Sequence, residues 1–173
     1  MKKPLLISSI IAAILVSVFF IVKWQHHLLT PTAEQFRNAL PGESQAILEH
    51  SDYFALLLLK PTSAALTKEQ EAIAFHGYCV LSKREITQSD EKQELLQALN
   101  DGIARSSRVL PPCFSPRYGI HAISGGKSAD LVICFSCEQF KVYTDEGEKL
   151  SGISNTPQKA FEHLVDAAAM SSK

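Results

Sequence analysis

Clustered positive charge is scarce in this 173-residue chain: no basic run is longer than a pair, and the only pair beyond the N-terminus is Lys83-Arg84. A nucleic-acid binder carries a basic patch or stripe, and a protein lying on anionic lipid carries a polybasic segment, so neither class is expected. Lys83-Arg84 reads as a solvated strand face. Catalytic signatures are missing as well. There is no G-x-S-x-G elbow, no phosphate-binding G-x-x-x-x-G-K-[ST] and no H-E-x-x-H. Asp145, Glu146 and Glu148 surround Gly147 as a polar hairpin tip rather than an acid/base pair, and no cofactor is implied.

Charge is also absent from Pro4 to Val22, nineteen residues that follow Lys2-Lys3 and precede Lys23-Trp24. As a helix this run spans about 28 Å, close to the thickness of a bilayer's hydrocarbon core. A cleaved signal peptide would have a shorter apolar core and a small-x-small site, whereas this run ends in Phe19-Phe20-Ile21-Val22. No Cys follows it for lipid modification. Lys23 and Trp24 suit the membrane interface, and Lys2, Lys3 and the amino terminus outweigh Lys23, which leaves the N-terminus cytoplasmic. The expected organisation is a membrane anchor at 1–24, a linker at 25–31 and one extracytoplasmic domain at 32–173, periplasmic or cell-surface. His26-His27 in the linker read as solvated. With Lys2, Lys3 and Lys23 set aside, 14 basic residues face 18 acidic ones, a formal charge of −4 on the domain.

Within that domain, Thr32-x-x-Gln35 reads as a capping box opening a short helix that Pro41-Gly42 interrupts before a second piece through Ile47-Leu48. Tyr53–Leu59 is a continuous apolar run closed by Lys60-Pro61, short enough for a buried strand. Gly77–Thr87 alternates as a second strand. From Asp90, Leu95, Leu99 and Ile103 recur every four residues and predict a helix ending near Arg105. Residues 117–123 and 129–135 flank Ser124-Gly125-Gly126-Lys127, a hairpin signal. A last helix opens at Pro157, with Ala160, Phe161, Leu164, Val165 and Ala168 as its buried stripe. The fold class is therefore α+β, a mainly antiparallel sheet of about four strands with helices packed on one face.

Four cysteines lie beyond the anchor: Cys79, Cys113, Cys134 and Cys137. If Ser124, Gly125 and Gly126 form a three-residue loop, the register places Cys113 opposite Cys137, and a bridge there would staple the open end of the hairpin, contributing about 3 kcal/mol. A two-residue Gly-Gly turn moves Cys113 one position off. Side-chain parity slips between Leu131-Ile133-Phe135 and Phe140-Val142, which predicts a bulge near residues 136–139. Disulfide candidates are thus Cys113, Cys137 and Cys134. Competing readings are buried free thiols, a zinc site on Cys113, Cys134 and Cys137 with a fourth ligand, and a thioredoxin-like C-x-x-C, for which strand-like flanks are the wrong setting. Arg117 falls beside Cys134 in this register, as an anion clamp or as a structural post for loop carbonyls.

Gly77-Tyr78-Cys79-Val80-Leu81-Ser82-Lys83, Cys113-Phe114-Ser115-Pro116-Arg117-Tyr118-Gly119-Ile120 and Leu131-Val132-Ile133-Cys134-Phe135-Ser136-Cys137 resemble segments shared by an uncharacterised bacterial protein family. The resemblance covers roughly Phe75 to Ala168 and departs at Tyr118, where His is expected, and at Ser82, where Gly is expected. It implies that Cys113, Arg117, Cys134 and Cys137 form one constellation, and implies no reaction. The function expected from the whole is a membrane-tethered extracytoplasmic domain with a non-catalytic binding or structural role. It would contact the lipid bilayer through its N-terminal helix and a protein or envelope partner through its domain. The alternative is a thiol-based redox or metal-binding protein using Cys113, Cys134 and Cys137.

Overall fold

The computed structural model describes residues 39–61, 67, 71, 74–107 and 110–171, with side chains to 165. All belong to the second of the two units into which the chain divides, Thr32–Lys173. The expected span at Pro4–Val22, the linker and the Thr32 capping box lie outside the described residues. Among the described residues no helix is long and apolar enough to cross a membrane.

The elements run α1 (Gly42–Glu49), β1 (Tyr53–Leu59), β2 (Val80–Glu85), α2 (Ser89–Ala104), β3 (Tyr118–Ser124), β4 (Lys127–Cys134), a 3-10 turn (Phe135–Cys137), β5 (Gln139–Thr144), β6 (Gly147–Gly152) and α3 (Gln158–Ser171). The α+β class stands. The sheet has six strands rather than about four, all pairs antiparallel, in the order β2-β1-β3-β4-β5-β6.

Both additional strands, β5 and β6, follow the stretch expected to hold a bulge. Cys134 pairs with Gln139, so the chain reverses between them through a four-residue loop instead of bulging. Glu138 takes the left-handed conformation that closes it (φ 52°). The polar tip at Asp145-Glu146 then turns β5 into β6, with Thr144 paired to Gly147. At the other hairpin, Ser124 pairs with Lys127, so only Gly125 and Gly126 form the loop, at φ 56° and 81°. Both positions need positive φ, which glycine adopts without strain.

Alternation along the strands sorts two cores. Phe54 and Leu56 of β1, Ile120 and Ala122 of β3, Leu131 and Ile133 of β4, and Phe140 and Val142 of β5 face the helices. There they pack with Ile47 and Leu48 of α1, Leu95, Leu99 and Ile103 of α2, and Phe161 and Leu164 of α3. The expected stripe of α2 is the buried one, because residues four apart share a helix face. Arg84 belongs to this side rather than to a solvated face: it donates to the Leu164 carbonyl (2.8 Å) and to Glu91 (2.7 Å), tying β2 to α3 and α2. The opposite sheet face carries a smaller cluster, Leu57, Leu59 and Val132, partly covered by Phe75, Tyr78, Val80, Phe114 and Tyr143. No helix covers this face among the described residues, and its polar groups stand here.

Candidate functional site: the open sheet face

Register sets the first group. His121 of β3 lies directly opposite Asp130 of β4, and Asp130 opposite Tyr143 of β5. All three alternate onto the face away from the helices. A two-residue turn, closed by Phe75 N–H to the Tyr78 carbonyl (2.8 Å) and Tyr78 N–H to the Phe75 carbonyl (3.0 Å), presents His76 and Gly77 at φ 50° and 83°. Gly77 suits this conformation, and His is among the side chains that tolerate it. The turn sets the His76 ring parallel to Tyr143, with centroids 3.8 Å apart and planes 9° from parallel.

The carboxylate of Asp130 is then held on both oxygens. His76 Nε2 lies 2.7 Å from Oδ2 and His121 Nδ1 lies 2.5 Å from Oδ1. An ionised carboxylate only accepts, so each of these nitrogens carries a proton. In the neutral rings that leaves His76 Nδ1 and His121 Nε2 as bases. A carboxylate fixing the Nδ1–H tautomer of an imidazole is the arrangement that presents Nε2 for proton transfer. No cysteine, serine or threonine nucleophile accompanies this base within the cleft lining described below.

Beside the group is a cleft of about 410 Å³, bounded by Leu57, Phe75, Val80 and Lys83 and floored by His121 and Asp130. Phe75 packs edge-on to both imidazoles, and Tyr53 packs edge-on to His121. Burial raises the phenols of Tyr78 and Tyr143 above their ordinary value, with Lys141 opposing the rise in each. A larger hollow of about 660 Å³ runs between α1 and α2. Two pairs there lie within their own helices, Gln45 with Glu49 and Gln97 with Asp101, as on solvated faces, while the buried Asn100 Oδ1 has no hydrogen-bond partner.

The cysteines gather at one end of the same sheet. Cys134 and Cys137 are bridged across the 3-10 turn, Cα to Cα 5.2 Å, and both are buried. Cys113 is exposed and free, and Cys79 is a half-buried free thiol. The expected Cys113–Cys137 staple is therefore not the pairing made. The Gly-Gly turn sets the register one position off, and the chain reversal after Cys134 brings Cys137 back beside it. Two of the three sulfurs of the zinc reading, Cys134 and Cys137, are joined to each other. Among the described residues no group of three or more His, Cys, Asp or Glu is arranged to hold a metal ion. Ser115, two residues after Cys113, donates its N–H to Cys137 Sγ (3.4 Å). Arg117 occupies the position across from Cys134, one step beyond the Tyr118–Ile133 pair, and its N–H donates to the Ile133 carbonyl (3.1 Å). Its side chain is exposed.

His76, His121, Asp130 and Phe75 were not singled out in the sequence. The legible signal was parity: two polar residues, 121 and 130, stand opposite each other in an otherwise apolar hairpin. No family model, curated protein or solved structure matches this chain.

Proposed function

We propose that this protein is a membrane-tethered extracytoplasmic binding domain whose ligand sits in the cleft beside Asp130. The tether rests on the uncharged stretch from Pro4 to Val22 and its flanking lysines. The binding role rests on one observation. A carboxylate with both oxygens engaged by His76 and His121 adjoins an apolar cleft on the sheet face that no helix covers among the described residues. Apolar walls with a few fixed polar groups are the composition of small-ligand sites. The walls suit a flat or branched apolar group, and the His121 ring that lines the cleft suits a hydroxyl or amide head that donates to its remaining nitrogen.

Titration of the full chain in lipid nanodiscs with 4-fluorophenol, followed by fluorine NMR, tests this reading. Saturable broadening that disappears in Leu57→Lys and weakens in His121→Ala supports it. Broadening that is absent, or identical in both variants, refutes it. Alkaline extraction of the expressing membranes tests the tether: the chain should stay with the lipid.

A further inference from the structure

All four cysteines converge on the end of the sheet where β1 finishes and β3 begins. Lys60 N–H donates to the Cys79 carbonyl (2.9 Å), and the Ser115 hydroxyl donates to the carbonyl of the neighbouring Pro61 (2.6 Å). Ser115 N–H donates in turn to Cys137 Sγ. The bridge sulfurs are almost fully covered, Cys134 at 1 % and Cys137 at 3 % exposure, so a thiol on another protein cannot reach them directly. Cys113 is the exposed sulfur of the group. It lies two residues from the Ser115–Cys137 contact, so its Cα is within about 7 Å of that of Ser115.

We propose that Cys113, Cys134 and Cys137 form a thiol–disulfide exchange site for cysteine-bearing polypeptides, with Cys113 as the outward-facing thiol. In the first step the Cys113 thiolate attacks Cys137 Sγ. The Cys134–Cys137 bond breaks, a Cys113–Cys137 bond forms, and Cys134 leaves as a thiolate that takes up the proton Cys113 gave. In the second step a substrate thiolate attacks the exposed Cys113 sulfur and displaces Cys137. The substrate's second thiolate then resolves the mixed disulfide. The net result is a substrate dithiol oxidised to a disulfide and the Cys134–Cys137 bridge reduced to two thiols, with two electrons and two protons moved.

Both leaving sulfurs have donors in place. Ser115 N–H meets Cys137 Sγ, and the Ser136 hydroxyl lies 3.4 Å from Cys134 Sγ and 4.0 Å from Cys137 Sγ. Hydrogen bonds to a departing thiolate lower its pKa and speed exchange. Pro111 and Pro112 precede Cys113 in a segment outside the ladders, so closing onto Cys137 breaks no strand pairing.

Two measurements on the full chain in nanodiscs decide the matter. The Cys134→Ser variant, made with Cys79→Ser, is treated with equimolar oxidised glutathione, blocked with N-ethylmaleimide and mapped by mass spectrometry. A Cys113–Cys137 cross-link is the expected product; glutathione retained on Cys113 with Cys137 alkylated overturns the proposal. Oxidation of a synthetic two-cysteine peptide by the bridged protein should slow about tenfold or more in Cys113→Ala and stay unchanged in Cys79→Ala. Peptide oxidation at the unaltered rate in Cys113→Ala also overturns it. Because Cys113 is exposed, an unchanged melting temperature of Cys113→Ala separates this outcome from misfolding.

Discussion

The ring of Phe75 occupies the space that a side chain on Gly119 would need. A Cβ built at Gly119 would sit 2.9 Å from Phe75 Cε1 and 3.4 Å from the Leu131 carbonyl oxygen. The bare backbone of β3 is what lets the Phe75–Tyr78 turn lie flat on the sheet and deliver His76 to Asp130. Gly119→Ala is therefore expected to destabilise the fold by about 1–3 kcal/mol, the usual range for overpacking. Denaturant midpoints check this. In the double variant with Phe75→Ala the two losses should add to less than their sum, because removing the ring removes the clash.

Asp130→Asn offers a sharper test of the paired histidines. An amide side chain keeps one acceptor oxygen but turns an NH2 toward the other ring, where a proton already sits. One imidazole must then change tautomer or turn away. Nitrogen-15 shifts of the two rings should show equivalent proton-bearing nitrogens toward residue 130 in the parent chain and a single altered ring in the variant. The stability loss should be about 1.5–3 kcal/mol, as for hydrogen bonds to a charged group.

Alkaline pH should weaken the domain through Tyr78 and Tyr143. Burial raises both phenols above their ordinary value of 10.0. Below that value both states keep the protons and the stabilising contribution is fully present. As pH rises through it, the unfolded chain releases protons first, the folded state binds more, and stability falls until the folded phenols ionise too. Urea midpoints between about pH 9 and about pH 11 should drop, and the decline should be shallower in Tyr78→Phe/Tyr143→Phe than in the parent.

Reducing the Cys134–Cys137 bridge should have a modest effect. The loop it closes has a sequence separation of only 3, so the chain-entropy contribution is about 2 kcal/mol, below the roughly 3 kcal/mol of a bridge across the whole hairpin. Melting curves with and without reductant, on the Cys79→Ser background, measure this difference. A loss well above 3 kcal/mol would show that the bridge constrains more than its own turn.

How much of this architecture the sequence disclosed varies with the kind of signal. Leu95, Leu99 and Ile103 announced α2 because a single helix face needs them at that spacing. The leucine run of β1 read as a buried strand, and Phe54, Leu56, Leu57 and Leu59 are all covered. The reversal at residues 135–138 was visible only as a slip in parity, since Phe-Ser-Cys-Glu contains no Gly, Pro, Asn or Asp and its left-handed position is held by Glu138. β6 stayed hidden because an exposed edge strand, Gly-Glu-Lys-Leu-Ser-Gly, has no buried alternation to display. Gly125 and Gly126 both enter the turn, which moves Cys113 one position off, and the reversal at residues 135–138 takes Cys137 off the ladder and back beside Cys134. His76 reaches Asp130 from 54 positions away, through a turn that local composition does not aim.

The place of β1 between β2 and β3 also fixes an order of events during synthesis. β3 to β6 are neighbours in both sequence and space, joined by tight reversals, so they can zip together as successive local hairpins. β1 has no such freedom. It is complete at Leu59, long before its second neighbour begins at Tyr118, and until then Phe54–Leu59 is an apolar strand with an unpaired edge. Such a segment is the part of a nascent chain most prone to pair with another copy. In pulsed hydrogen-exchange refolding, the amides that β1 shares with β3 should gain protection after those of the β3–β4 hairpin. The strand next to the β2 edge of the finished sheet is thus its earliest-made and latest-sheltered piece.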